Sequence, residues 1–219
     1  VVNGRPARLL LLRHGQSEWN AQRRWQGTHD SPLTHVGRRQ AAHVGRHLRD
    51  VGTRFAGIWS SDLQRASETA RIIARHLEIS PIEHDVRLRE AHAGPWQGLT
   101  PADIEAAYPG YLAAHRRPDG FESPESVLHR ALDALVEIAE RARLLPLLVV
   151  SHSGLIRTLR RALGADDKRV DNVGGQWLVV DRGDLRLDGA FTLERDPHSS
   201  VDGGCWEGPG DEAEDPGEC

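Results

Sequence analysis

Two four-residue runs with no polar side chain, Leu-Leu-Leu-Leu at residues 9–12 and Leu-Leu-Val-Val at residues 147–150, constrain this chain more than any other feature. Each is too short to be a helix and offers water no polar face, so each is expected to be a strand buried on both sides. Such strands need further layers of structure above and below them. Both runs end alike. Arg13-His14-Gly15 follows the first, and Ser151-His152-Ser153-Gly154 follows the second. Histidines at the carboxyl ends of buried strands stand where open α/β sheets bind their ligands.

The rest of the chain alternates around these runs. Thr34 opens a helical stretch to about Arg49, with Val36, Ala41, Val44 and Leu48 as its apolar stripe and Gly52 as its stop. A strand is predicted at residues 57–60. A helix over 62–76, capped by Ser61 or Asp62, would carry Arg65 on its first turn. Residues 81–85 read as a short extended piece, and residues 89–98, with two glycines and a proline, as an irregular loop. Thr100-Pro101-Ala102-Asp103 begins another helix, with Pro at the first helical position and Asp closing the capping box. The longest amphipathic segment is 123–142. The run at 147–150 leads into a helix over 155–163, and strands at 176–180 and 185–191 complete the pattern. Alternating strands and helices predict a single-domain, three-layer α/β/α sandwich with a mostly parallel central sheet.

The length of 219 residues suits one such domain over residues 1–195 followed by an acidic tail over 196–219. Eight of the 32 acidic side chains fall from Asp196 onward, where there is no Lys or Arg. Residues 1–195 therefore carry 28 basic against 24 acidic groups. That mild basic excess suits a small anion, and no basic run points to nucleic acid. Both cysteines, Cys205 and Cys219, lie in the tail, so the predicted domain needs no disulfide. No apolar run approaches the roughly 20 residues that span a bilayer, and the first residues do not resemble a signal peptide. A cytoplasmic protein without a membrane partner is expected.

Breaking a phosphate ester requires an in-line nucleophile, several donors for the phosphoryl oxygens and a proton for the departing oxygen. His14 suits the first task, because a neutral imidazole has a free lone pair near pH 7 and can form a covalent N–P bond. Arg13, Arg65 and His152 suit the second, aided by backbone N–H groups near Ser153 and Gly154. Glu90 suits the third if desolvation beside apolar Trp96 keeps its carboxyl protonated. Neither metal nor organic cofactor is required. His43 and His47 share a helix face, but no Cys or carboxylate completes a metal site. His92 either lines the pocket or faces water, and Trp25 and Trp96 either flank the entrance or pack.

Leu-Arg-His-Gly-Gln-Ser-Glu-Trp-Asn at residues 12–20 resembles the signature of the histidine phosphatase superfamily, in its phosphoglycerate mutase-like branch. Three further blocks are similar to that family in the same order: Ser60-Ser61-Asp62-Leu63-Gln64-Arg65-Ala66 with Thr69, Leu88-Arg89-Glu90 through Gly98, and Val150-Ser151-His152-Ser153-Gly154. The resemblance implies a phosphohistidine at His14, a phosphate pocket of Arg13, Arg65 and His152, and Glu90 as proton donor and later water-activating base. Asn20 and Gly27 match positions that usually line the pocket.

Mutases of the family carry a longer segment between the acid loop and the last long helix. Here residues 99–122 are short, with Phe121-Glu122-Ser123 where phosphatase-like members have a Gly-Gly-Glu-Ser-type turn; Glu122 is then a local structural or pocket residue. A shorter cover lets water reach the phosphohistidine. The expected activity is therefore hydrolysis of a small sugar- or glycerate-phosphate ester. The alternatives are a phosphoglycerate mutase or phosphotransferase using the same intermediate and, more remotely, a non-catalytic phosphate-binding protein. The acid loop, with Trp-Gln-Gly-Leu-Thr, is similar to that of actinobacterial glucosyl-3-phosphoglycerate phosphatases. A homo-oligomer is left open.

Overall fold

Leu9, Leu10, Leu11 and Leu12 are entirely buried, in a strand that lies inside a six-stranded sheet. The structure, a computed structural model, describes residues 5–142, 144–166 and 168–193. The acidic tail, Cys205, Cys219 and the domain boundary expected at residue 195 lie outside the described residues.

The strands are β1 (Ala7–Arg13), β2 (Gly57–Ser60), β3 (Ile82–His84), β4 (Leu147–Ser151), β5 (Gly175–Asp181) and β6 (Asp184–Phe191), in spatial order β3-β2-β4-β1-β5-β6. β1, β2, β3 and β4 run parallel. β5 runs antiparallel to β1, and β6 antiparallel to β5. β1 pairs with β4 from Leu9 opposite Leu147 to Arg13 opposite Ser151. That register sets His14 beside His152 just past the strand ends.

Alternation along the strands divides the core into two layers. Leu9, Leu11, Leu147 and Val149 pack with α5 (Pro124–Ala139) and α6 (Ser153–Ala162). Leu10, Leu12, Leu148 and Val150 pack with α2 (His35–Asp50) and α3 (Gln64–Leu77). Each fully buried leucine contributes about 1.5–3 kcal/mol, which fixes the register, since a slip of one residue would turn each side chain towards the opposite layer. A third, aromatic cluster around Trp96 joins α4 (Pro101–Ala107) to the acid loop, with Trp25, Tyr108 and Phe121 against it. Among the described residues no helix is long and apolar enough to cross a membrane.

Two helix starts differ from expectation. α3 begins at Gln64, and neither Ser61 nor Asp62 caps it: Leu63 holds the cap position without a side-chain bond. The N–H of Gln64 instead donates to Asp30, 2.8 and 2.9 Å from its two oxygens. Asp62 is engaged by the Arg89 guanidinium at 2.7 Å, a charge-assisted pairing stronger than a neutral cap. α6 begins at Ser153, two residues early, because a distant carboxylate caps it as described below. A single unexpected turn, α1 (Glu18–Ala21), is closed by reciprocal bonds between Ser17 and Asn20. The Thr100–Asp103 capping box forms as predicted, and Arg65 lies on the first turn of α3.

Candidate active site

His14 extends the β1–β4 ladder by one residue, its N–H donating to the Ser151 carbonyl at 3.0 Å. Its ring is 3 % exposed and lies edge-on to the fully buried ring of His152, with centroids 5.2 Å apart. Nδ1 of His14 is 2.6 Å from the Gly15 carbonyl, which can only accept, so Nδ1 carries the proton and Nε2 keeps its lone pair. Burial, then the charges of Arg65 and Arg13, hold this imidazole well below its usual range, against a smaller opposing effect of the Gly15 bond. The ring is therefore neutral at physiological pH and its open nitrogen is available to attack.

His152 differs. Neither of its ring nitrogens has a hydrogen-bond partner among the described residues, although both are buried. Burial first, then Arg65 and the other nearby cations, push its pKa down as well. A buried polar group without a partner is costly unless something else bonds to it, so these nitrogens mark a place for a polar ligand.

Arg65 is 1 % exposed. Its terminal nitrogens donate to the carbonyls of His29 (2.8 Å) and Gly27 (2.7 Å), and its Nε is buried without a partner among the described residues. Among the described residues, two of the five N–H groups of this guanidinium are accounted for. Burial lowers its pKa to about 10, so it remains cationic at neutral pH. Arg13, 7 % exposed, is held by the Val170 carbonyl at 2.8 Å. Two buried cations and two neutral imidazoles at one sheet end make a site for a compact oxyanion.

Glu90 departs from its sequence-based description. No apolar wall of Trp96 holds its carboxyl; the carboxyl accepts three backbone N–H groups, from Ala91 (3.0 Å) and Leu155 (3.2 Å) on Oε1 and from Gly154 (3.0 Å) on Oε2. Trp96 is turned into the aromatic cluster, edge-on to Trp25 at 5.1 Å, so neither tryptophan is a free wall of the entrance. Glu90 thus caps α6, and the Gly154 N–H expected to face phosphate is used by Glu90. Ser153 remains the first residue of that helix, half-buried beside His152.

Asn20 and Gly27 serve the pocket indirectly. Asn20 closes α1, and its Oδ1 is 3.4 Å from the amide nitrogen of Asn172, which in turn donates to the His14 carbonyl at 3.0 Å. Gly27 presents its carbonyl to Arg65 from a left-handed conformation (φ +53°), with Ala93 N 2.6 Å from where a Cβ would stand. Only glycine fits there. Thr69 links the layers: it accepts from Gly15 N at 3.1 Å and donates to the Arg65 carbonyl at 2.7 Å. His92 is exposed and fastens its own loop through Gly94. Glu122 is structural, paired with Arg130 at 2.8 Å. Among the described residues, His43 and His47 belong to no cluster that could hold a metal. Sequence reasoning missed Asn172, Asp30 and Arg130. Nothing in the neighbouring sequence marks these three, since each acts on a segment tens of residues away.

The pattern of the histidine phosphatase superfamily (branch 1) matches residues 9–187. A glucosyl-3-phosphoglycerate phosphatase from Mycolicibacterium vanbaalenii is 38% identical over 171 residues, covering 73% of this chain and 75% of that protein. A metal-independent phosphoserine phosphatase from Arabidopsis thaliana is 33% identical over 165 residues, covering 72% and 69%. The solved structure of a mycobacterial glucosyl-3-phosphoglycerate phosphatase with VO3 superposes with a TM-score of 0.70 at 30% identity, covering 84% of this chain and 98% of that one. The chain belongs to branch 1 of the histidine phosphatase superfamily. Within that superfamily it is a phosphatase.

Proposed function

We propose that the protein hydrolyses a small phosphomonoester of the sugar- or glycerate-phosphate type through a phosphohistidine on His14. The observation that carries this reading is the His14 ring: Nδ1 pinned to Gly15, Nε2 open, and two buried groups with unpartnered N–H or ring nitrogen, Arg65 and His152, beside it. Arg13, Arg65 and His152 hold the phosphoryl oxygens while Nε2 attacks phosphorus in line with the departing oxygen. The Nε2–P bond forms as the P–O bond breaks, and Glu90 gives its proton to the leaving alkoxide. Oε1 already accepts two N–H bonds and Oε2 one, so Oε2 has the lone pair free to take this proton as the phosphate ester binds. The ester's negative charge beside it, in place of an apolar wall of Trp96, is the reason for a neutral carboxyl. Water then attacks phosphorus, returns a proton to Glu90 and releases phosphate, restoring neutral His14. Asn20, Asn172 and Gly27 keep His14 and Arg65 in place, and Ser153 borders the oxygens. The relatives named glucosyl-3-phosphoglycerate phosphatases make a sugar-linked phosphoglycerate the first substrate to try.

The test is release of inorganic phosphate from a panel of phosphomonoesters, including 3-phosphoglycerate and glucosyl-3-phosphoglycerate, with EDTA present and His14→Ala as control. EDTA-insensitive release that needs His14 is expected. Isomerisation of 3-phosphoglycerate with a bisphosphate primer, without release, would replace hydrolysis by mutase chemistry. Silence on both would favour binding alone. The catalytic unit in this reading is residues 1–195, so removing residues 196–219 should leave turnover unchanged; a large loss on truncation would put the tail in the site.

A further inference from the structure

We propose that Arg130 and Gly154 are positioning residues for Glu90, so that α5 and α6 together aim the proton transfer; this rests on Glu90 being the acid of the reaction above. From behind, the Arg130 guanidinium grips the backbone that delivers Glu90. Its Nη1 donates to the carbonyls of Arg87 (2.7 Å) and Arg89 (2.6 Å), and its Nη2 to the carbonyl of Glu90 itself (3.2 Å). Nε and Nη2 also reach the two carboxylate oxygens of Glu122, at 2.8 and 2.9 Å. All five guanidinium N–H groups are used, a set that a lysine ammonium with three donors and no planar fork cannot reproduce. Glu122 holds the far side of the same segment, accepting from the His92 N–H at 3.1 Å and the Ser126 hydroxyl at 3.0 Å. Residues 87–92 are thus tied down on both sides of Glu90.

From in front, the carboxyl rests on the first turn of α6. A Cβ at residue 154 would stand 2.4 Å from Glu90 Oε1 and 3.2 Å from Oε2. Gly154 is helical, where alanine is the better helix former, so room for the carboxyl and no backbone need accounts for glycine there. A methyl group would push the carboxyl off its N–H donors and away from the line to the departing oxygen. Displacements of that size, on the order of 1 Å, cost about 10²-fold when they fall on a reacting group.

The two partners act through Glu90, so their loss should depend on how much the leaving group needs a proton. In E90Q, kcat/KM for an alkyl phosphate such as glycerol 3-phosphate should fall about 10²–10³-fold, while that for p-nitrophenyl phosphate, whose phenolate leaves unaided, falls far less. The expected result for R130K, E122Q and G154A is the same direction. The aryl-to-alkyl ratio of kcat/KM should rise about tenfold in R130K and G154A, and less in E122Q, with the melting temperature of G154A little changed, because the helix-forming gain of alanine offsets the lost cap. Both esters are assayed on one preparation, so any unfolded fraction cancels in the ratio. An unchanged ratio in R130K and G154A, with a raised ratio in E90Q, would overturn the inference. An unchanged ratio in E90Q would instead overturn the assignment of Glu90 as acid. Failure of G154A to fold would make Gly154 a residue of the fold and remove it from the proposal.

Discussion

His14 and His152 are near twins by position and opposites by bonding. Both follow a buried parallel strand, both are fully enclosed, and both are kept neutral well below the usual imidazole range, chiefly by burial. Only His14 has a proton fixed by a carbonyl. A tautomer held in place leaves one defined lone pair, which a nucleophile requires; an imidazole without partners can turn a donor to whichever oxygen needs it. The difference comes from one local bond, Nδ1 to Gly15, and not from charge or depth.

The sharpest way to break this contrast is to remove each ring. His14→Ala should lose at least about 10⁴-fold in kcat/KM and form no acid-labile phosphoenzyme, as loss of a nucleophile does. His152→Ala should lose about 10²–10³-fold, the cost of one donor to developing charge, and still accumulate label on the enzyme. Rapid-quench labelling distinguishes them, and label in H14A but not H152A would exchange their roles. Arg65→Ala should fall in the H152A range, and it should raise KM for all esters alike.

Stability measurements sharpen what the twins share. Each histidine has a folded pKa below its unfolded value, so the unfolded chain binds the extra proton. Stability is full above about pH 6.5 and falls as pH drops towards the folded values, by about 1.4 kcal/mol per histidine per pH unit. Urea unfolding at pH 7 and pH 5 reads this directly, and H152A should make the loss of stability on acidification smaller than in the parent, while His76, whose pKa burial also lowers, leaves a residual slope. The smallest effect concerns the frame. Asp30→Asn should cost about 1 kcal/mol or less in stability, as weakened caps do, with a modest loss in kcat/KM through the Arg65 turn.

What could be read from the chain and what could not divides along sequence distance. Leu9 through Leu12 announced a two-sided strand because burial leaves a continuous mark, and the Thr34 and Thr100 caps announced their helices because the signal lies within four residues. The four blocks placed His14 and His152 just past buried strands, Arg65 on the first turn of a helix and Glu90 in a loop, where the structure has them. Asn172 on the His14 carbonyl spans 158 positions, Asp30 on Gln64 spans 34, and Arg130 on the Glu90 carbonyl spans 40. Such pairings leave no periodic trace. The environment of Glu90 was misread for the same reason: Trp96 is its neighbour in sequence, but the donors on its carboxyl come chiefly from α6.

β1 also sets an order of events in the life of the chain. It emerges before both of its partners, with both edges bare, and neither neighbour exists until residues 147–151 and 175–181 have been made. An apolar strand without partners is a template for association with other chains, so a shortened chain ending before β4 should aggregate where the whole one folds. The contacts that hold Arg13 and His14, from Val170 and Asn172, arrive later still. Completion of the site is thereby withheld until residue 172 has been synthesised, and a product truncated before it should be inert.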